Sequence, residues 1–263
     1  MATVSKIITY PFKSAKGIEL PESGFDIEGM LNDRRLMAVD EHSTFMTARN
    51  TPELLQITCE PTTAGWTLSH PKAASALKVT ADSPLLISSE VWDDKITTTD
   101  AGNEAAEWLS HVLGEKSRIA LWKPQSRHSS KYDIDTSFAD AAPLLIASEA
   151  SMKQGCDWAD INYDHRRFRP NIIVSGVEAF EEESWTRIQI GSAIFELLDT
   201  CERCVLTTRD PDSGAKHPKQ QPLRALIKNH INATKHPIMG INAKLVSSAT
   251  EAKITLNDKI KLL

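Results

Sequence analysis

No stretch of this chain approaches the roughly 20 consecutive apolar residues that a membrane-spanning helix requires. Positive charge is not in excess either: 30 Lys and Arg stand against 35 Asp and Glu, a net charge of −5. That balance argues against a general binder of nucleic acid or of an anionic membrane, while leaving room for a local basic pocket. The opening residues, Met1 to Ile8, lack the basic start and long apolar run of a secretion signal and read as a strand. The default location is therefore cytoplasmic. Cysteine is scarce, with Cys59, Cys156, Cys201 and Cys204 the only four. Without a secretion signal, reduced thiols are expected rather than disulfides. Several catalytic signatures are missing. There is no GxGxxG or Walker A sequence, no HExxH and no Gly-x-Ser-x-Gly, so the usual dinucleotide, nucleoside-triphosphate, zinc-peptidase and serine-hydrolase sites have no support.

What is present is a chain of 263 residues, ample for a real core, with 41% hydrophobic and 25% charged residues. Its first hundred residues carry short β-branched or alternating runs at Ile7–Tyr10, Leu36–Val39, Leu54–Thr58 and Leu85–Ile87, separated by turn signals such as Pro21–Gly24. A helix is predicted where Ala105, Trp108, Leu109, Val112 and Leu113 share one face, with Gly114 as its stop. A strand is expected at Arg118–Trp122. The polar stretch from Pro124 to Ser137 reads as a linker or mobile loop.

In the second half, strands are expected at Pro143–Ala147, Asn171–Gly176, Ile188–Ile190 and Ile194–Leu198. Ser148 should cap a short helix through Met152. Pro222 should open another, with Leu223, Leu226 and Ile227 on one face. The tail, Ile254–Leu256 and Lys259–Leu262, alternates like a closing hairpin around Asn257–Asp258.

The sharpest local feature is Cys201-Glu202-Arg203-Cys204. A zinc site wants a second pair of ligands, and the other cysteines are isolated. A thioredoxin-like pair wants the start of a helix, whereas Val205–Thr208 reads as strand. A single thiolate ligand for a soft or high-valent metal remains, as does a plain pair of half-buried cysteines. Lys13-Ser14, Asp33-Arg34-Arg35 and the run from His165 to Asn171 gather basic groups that suit a pocket for phosphate better than a nucleic-acid surface. Asp210-Pro211-Asp212-Ser213-Gly214 lacks the spaced carboxylates of a calcium loop and reads as a turn.

In order along the chain, Tyr10-Pro11-Phe12-Lys13-Ser14 with Gly17, then Asp33-Arg34, Thr47-Ala48-Arg49, Phe138-Ala139-Asp140, Phe168-Arg169-Pro170-Asn171 and Cys201–Thr208 with Asp210-Pro211 resemble the landmarks of the MOSC family. The resemblance extends to the mitochondrial amidoxime reducing component and its bacterial relatives. It implies an α+β, β-rich fold: an N-terminal β-barrel-like domain over residues 1–122 and a MOSC β-barrel domain with a few helices over 123–263. It also implies a molybdenum cofactor of the molybdopterin type held between the two. Cys204 would be the metal ligand and Cys201 not. Lys13, Ser14 and Arg34 would hold the pterin and its phosphate from one side; Asp140, Arg169, Asn171 and Arg203 would contact the cofactor from the other. The implied activity is an oxidoreductase acting on N-hydroxylated compounds, with Cys204 and Asp140 at the reacting centre. A separate iron–sulfur, haem or flavin protein would supply electrons, because no cysteine follows Cys204 to build an iron–sulfur domain. A cofactor carrier or sulfur-transfer module is the alternative. The chain departs from the pattern at Ala141 and Ala142, where relatives often carry hydroxyl residues, and no N-terminal membrane anchor is expected.

Overall fold

The computed structural model describes all residues from Met1 to Leu263. Its dominant feature is an eight-stranded sheet in the order Ile18–Leu20, Thr3–Thr9, Ile172–Ser175, Leu144–Ser148, Ile238–Leu245, Ala193–Glu202, Arg187–Ile190 and Ile260–Leu262. All neighbours are antiparallel except Leu144–Ser148 and Ile172–Ser175. That parallel pair needs a crossover, and the helix Glu149–Ala159 lies in it. A four-stranded sheet joins Leu36–Val39, Arg118–Leu121, Asp94–Asp100 and Leu86–Val91, and a three-stranded one joins Thr58–Thr62, Gly65–Ser69 and Leu77–Thr80. The fold is thus α+β and rich in strand, but the sheets stay open where closed barrels were expected. The two outer strands of the large sheet are three residues each, and so short an edge offers little to pair with.

The first strand pairs with the second half of the chain, Thr3 against Ser175 and Ile7 against Ile172. Val4 and Ile7 therefore share a core with Ile146, Ile188, Phe195 and Ile241. A second core gathers Phe12, Leu36, Leu54, Ile57, Leu109 and Ile119, all within the first 121 residues. On the other face of the large sheet, Tyr10, Met152, Cys156, Phe168 and Leu226 pack under the helices.

Helix α1 spans Asn103–Leu113 and stops at Gly114, whose φ of 78° is the left-handed turn that favours glycine. Helix α2, Glu149–Ala159, is capped by the Ser148 side chain, which accepts from the Ser151 amide. It runs beyond the expected end at Met152 because Met152, Cys156 and Ala159 repeat at helical spacing and are buried. Helix α3 is Leu223–Asn229; Ala225 and Leu226 are buried, whereas Ile227, expected on that face, is exposed.

Three further expectations are corrected. Leu54–Thr58 is not a strand: a 3₁₀ turn covers Pro52–Gln56, started by the proline, and the strand follows at Thr58–Thr62. Val205–Thr208 is also a 3₁₀ turn, because the Thr207 and Thr208 hydroxyls donate back to the carbonyls of Cys204 and Val205 at 3.0 and 2.7 Å. The tail strands do not form a hairpin. Lys253–Thr255 pairs with Glu22–Asp26, and Ile260–Leu262 with Arg187–Ile190. The turn between them is spliced onto the first strand, with the Asn257 amide donating to the Val4 carbonyl.

Phe12 is fully buried and immediately precedes Lys13. Phe12→Ala should cost roughly 3–5 kcal/mol, read as a lower urea midpoint; a wild-type midpoint would show that this core does not hold the segment.

Candidate functional site

Beside the large sheet, segments from both halves of the chain converge on a cleft of about 250 Å³. Lys13 and Ser14 come from the turn after the first strand. Arg34 precedes the strand Leu36–Val39, and Asp140 precedes Leu144–Ser148. Arg169 and Asn171 lead into Ile172–Ser175. Arg203 and Cys204 follow the strand ending at Glu202. All eight residues singled out in the sequence line this one cleft.

Asn171 ties the floor together. Its Nδ2 donates to the Ile8 carbonyl at 3.1 Å and to Asp33 Oδ1 at 3.0 Å. Its Oδ1 accepts from the Leu145 amide at 3.2 Å and from Arg34 Nη1 at 3.1 Å. Asp33 also accepts from the Tyr10 amide and pairs with Arg34. Arg34 and Arg169 both lie against the Tyr10 ring, at 4.8 and 4.2 Å from its centroid, an arrangement that favours a guanidinium over an aromatic face. Ser14, Arg34 and Arg169 all have left-handed backbones, with φ of 70°, 50° and 55°. Non-glycine residues held there cost about 1–3 kcal/mol each and cluster at binding sites.

The charges do not balance. Lys13, Arg34, Arg49, Lys131, Arg169 and Arg203 line the cleft against Asp140 and Glu202. Arg169 donates only to the Ala15 carbonyl, and Arg203 to the Phe168 carbonyl and Cys201 Sγ. Neither has a carboxylate partner, and the Arg203 Nε is buried with no partner at all. Burial lowers Arg169 to about 10. Burial likewise lowers Lys13 to about 8, although its pair with Asp140 works the other way. Desolvation alone would raise the Asp140 carboxyl, yet the Lys13 ammonium, then Arg49 and Arg34, hold it well below the usual carboxylate range. A buried cation without a counterion is costly, so an anionic ligand would stabilise this arrangement.

Cys204 is half-buried, and its Sγ accepts from Arg49 Nε at 3.3 Å. Arg49 also donates to Asp140 at 3.2 Å and lies 4.4 Å from the Trp92 ring centroid. The sequence placed Arg49 in a landmark but gave it no role; its contact with a residue 155 positions away carries no local signal. Lys131 and Asn242 were also missed. Lys131 stands in the stretch read as a linker, where it pairs with Asp199 at 2.7 Å. Ala141 and Ala142 line the wall and bring no side-chain donor to it. No group of three or more His, Cys, Asp or Glu side chains is placed to hold a metal ion.

Comparison with known proteins agrees with the resemblance. Residues 1–116 match the MOSC N-terminal beta barrel domain and residues 133–261 the MOSC domain. The chain is 32% identical over 243 residues to mitochondrial amidoxime-reducing component 1 of Mus musculus, covering 86% of this chain and 71% of that protein. It is 31% identical over 241 residues to mitochondrial amidoxime reducing component 2 of Homo sapiens, covering 86% and 72%. It is 28% identical over 250 residues to the molybdenum cofactor sulfurase of Danio rerio, covering 85% of this chain but 30% of that longer protein. The chain belongs to the MOSC family. The family and these relatives are associated with the molybdenum cofactor. No helix is long and apolar enough to cross a membrane.

Asn171→Ala would orphan the Leu145 amide and the Ile8 carbonyl and remove one of the donors to Asp33. A loss of roughly 3 kcal/mol in urea unfolding is expected; a change under 1 kcal/mol would mean that water replaces the amide.

Proposed function

We propose that this chain is a molybdenum-cofactor-dependent oxidoreductase that reduces N-hydroxylated compounds, with Cys204 as the metal's protein ligand. The carrying observation is Cys204 Sγ in the wall of a cleft whose Arg169 and Arg203 guanidiniums have no carboxylate. A single thiolate cannot fill a metal's coordination by itself, and no neighbouring His, Cys, Asp or Glu cluster completes it. The donor set therefore fits a metal that arrives already chelated by an anionic organic group. When bound, that cofactor supplies the two-electron redox chemistry of oxygen-atom removal.

The chain's own residues bind and orient. Lys13, Ser14 and Arg34 would hold the pterin and its phosphate from the N-terminal side, with Asp140, Arg169, Asn171 and Arg203 opposite. Arg offers paired planar donors and Lys a point charge, which suits a phosphate. Arg49 keeps the Cys204 sulfur oriented. Asp140, held ionised between Lys13 and Arg49, serves as an orienting carboxylate for those two cations and not as a general acid. Reducing an N–OH group to N–H consumes two electrons and two protons and releases water. The electrons come from a separate iron–sulfur, haem or flavin protein.

The likeness to a cofactor sulfurase favours a second reading, a carrier that binds the cofactor without turnover. Molybdenum and released pterin, measured in the wild type and in Cys204→Ala, test the ligand role. Near-stoichiometric metal in the wild type, lost in the variant, is expected. Full metal and full activity in Cys204→Ala would sink it. Turnover of a hydroxylaminopurine with a chemical reductant separates the enzyme from the carrier.

The Lys13 charge makes cofactor retention dependent on pH. Burial favours neutral Lys13 in the cleft, so its positive charge is present below about pH 8 and is lost above. Pterin retained after dialysis should fall as pH rises through 8, and Lys13→Met should flatten that dependence. An equally steep fall in Lys13→Met would assign it to another group.

A further inference from the structure

A second cavity, of about 120 Å³, lies beside the cleft and shares with it only Arg169 and Leu206. Its walls come from both halves of the chain: Tyr10, Lys16, Gly17, Glu19 and Leu55 on one side, and the basic run His165-Arg166-Arg167 with Arg209 and Pro211 on the other. The run from His165 to Asn171 was singled out in the sequence, and the proposed cofactor site uses only its Arg169 and Asn171.

The bland explanation is that these cations are neutralised by neighbouring acids. That holds for Arg166, which is paired with Asp164 and Asp212, both at 2.8 Å. It holds weakly for Arg167, whose nearest carboxylate, Asp210, is 3.7 Å away. It fails for the others. Arg209 spends both Nη atoms on backbone carbonyls, those of Gly214 and Arg49, at 2.9 and 2.6 Å. Lys16 contributes its backbone amide to the Ile57 carbonyl, and its ammonium has no partner. Glu19, the one acid in the lining, is taken by Lys6 at 2.7 Å and faces His165 at 3.4 Å. The Nε groups of Arg167 and Arg209 are buried without any hydrogen-bond partner. Unpaired buried donors on permanent cations cost free energy that an anion would recover.

We infer that this groove is an anion site for a small phosphate, free or as a monoester, distinct from the cofactor cleft. The cavity is too small for a macromolecular segment, and Ile8, Leu55, Leu206 and Pro211 offer apolar wall to a compact organic substituent. The phosphate would bridge Lys16 on the N-terminal side to Arg167 and Arg209 on the other, clamping the two halves beside the cleft. Arg169, common to both cavities, would feel both ligands.

Titration calorimetry of the cofactor-loaded protein, in which the cleft's own phosphate site is filled, with inorganic phosphate and with phenyl phosphate tests this. Saturable one-to-one binding is expected, about tenfold weaker in Lys16→Glu and unchanged in Lys72→Glu, which makes the same charge change outside the groove. Tighter binding of phenyl phosphate would identify a monoester as the ligand, and equal binding the free ion. The inference is overturned if neither probe binds saturably, if Lys72→Glu weakens binding as much as Lys16→Glu, or if Lys16→Glu binds as tightly as the wild type.

Discussion

Two guanidiniums held against one phenol ring are the constraint on which the cleft depends. Arg34 and Arg169 repel each other, and each would leave for water if it were free to do so. The Tyr10 ring offers both a favourable surface. Asp33 neutralises one of them, and Asn171 joins Asp33, Arg34, the first strand and Leu145 in a single hydrogen-bonded knot. The knot draws on segments separated by more than a hundred residues. It fixes the turn after the first strand against the start of Ile172–Ser175, and hence the two walls of the cleft against each other. Burial also pushes the Tyr10 phenol up to about 12, so the ring stays neutral between its cations.

The left-handed backbones at Ser14, Arg34 and Arg169 follow from the same arrangement. A relaxed backbone at these positions would turn the side chains away. The fold accepts strain at three cleft residues and stabilises them through contacts elsewhere: Arg34 through the Tyr10 carbonyl and Asp33, and Arg169 through the Ala15 carbonyl. A set of cations assembled at such cost and left short of carboxylates is organised for something anionic to complete it.

Much of this was legible in the sequence because it lies in short contiguous motifs. Lys13-Ser14, Asp33-Arg34, Phe168–Asn171 and Cys201–Cys204 each sit beside a strand, and the segments that carry them converge on one cleft. Isolated regular elements were also readable, such as α1 with its glycine stop. What escaped depends on partners far away in the chain. Arg49 takes its meaning from Cys204, and Lys131 from Asp199. The tail strands alternate as a hairpin would, yet their register is set by Glu22–Asp26 and Arg187–Ile190. Val205–Thr208 has the β-branched composition of a strand, but two threonine hydroxyls bend it into a turn. The tail strands are set by tertiary pairing that overrides their local preference, whereas the threonine turn is a local side-chain-to-backbone effect that β-branched composition hides.

The turn at Val205–Thr208 bears on how the two nearby cysteines should be understood. With the strand ended at Glu202 and a 3₁₀ turn starting after Cys204, the motif has a bend that a strand would not give it, so the strand argument against a dithiol pair no longer applies. Another argument replaces it. The two sulfurs are held by different guanidiniums from different halves of the chain: Cys204 by Arg49 at 3.3 Å, Cys201 by Arg203 at 3.0 Å. Burial raises the Cys201 thiol although Arg203 opposes the shift, which keeps that sulfur protonated and a poor nucleophile. A disulfide-exchange pair works by passing electrons between two equivalent, accessible sulfurs. Here one sulfur is a protonated packing group that anchors Arg203, and the other stands beside a cation in the wall of an anion-seeking cleft. That inequality fits a single thiolate ligand with a neighbour that positions the wall around it.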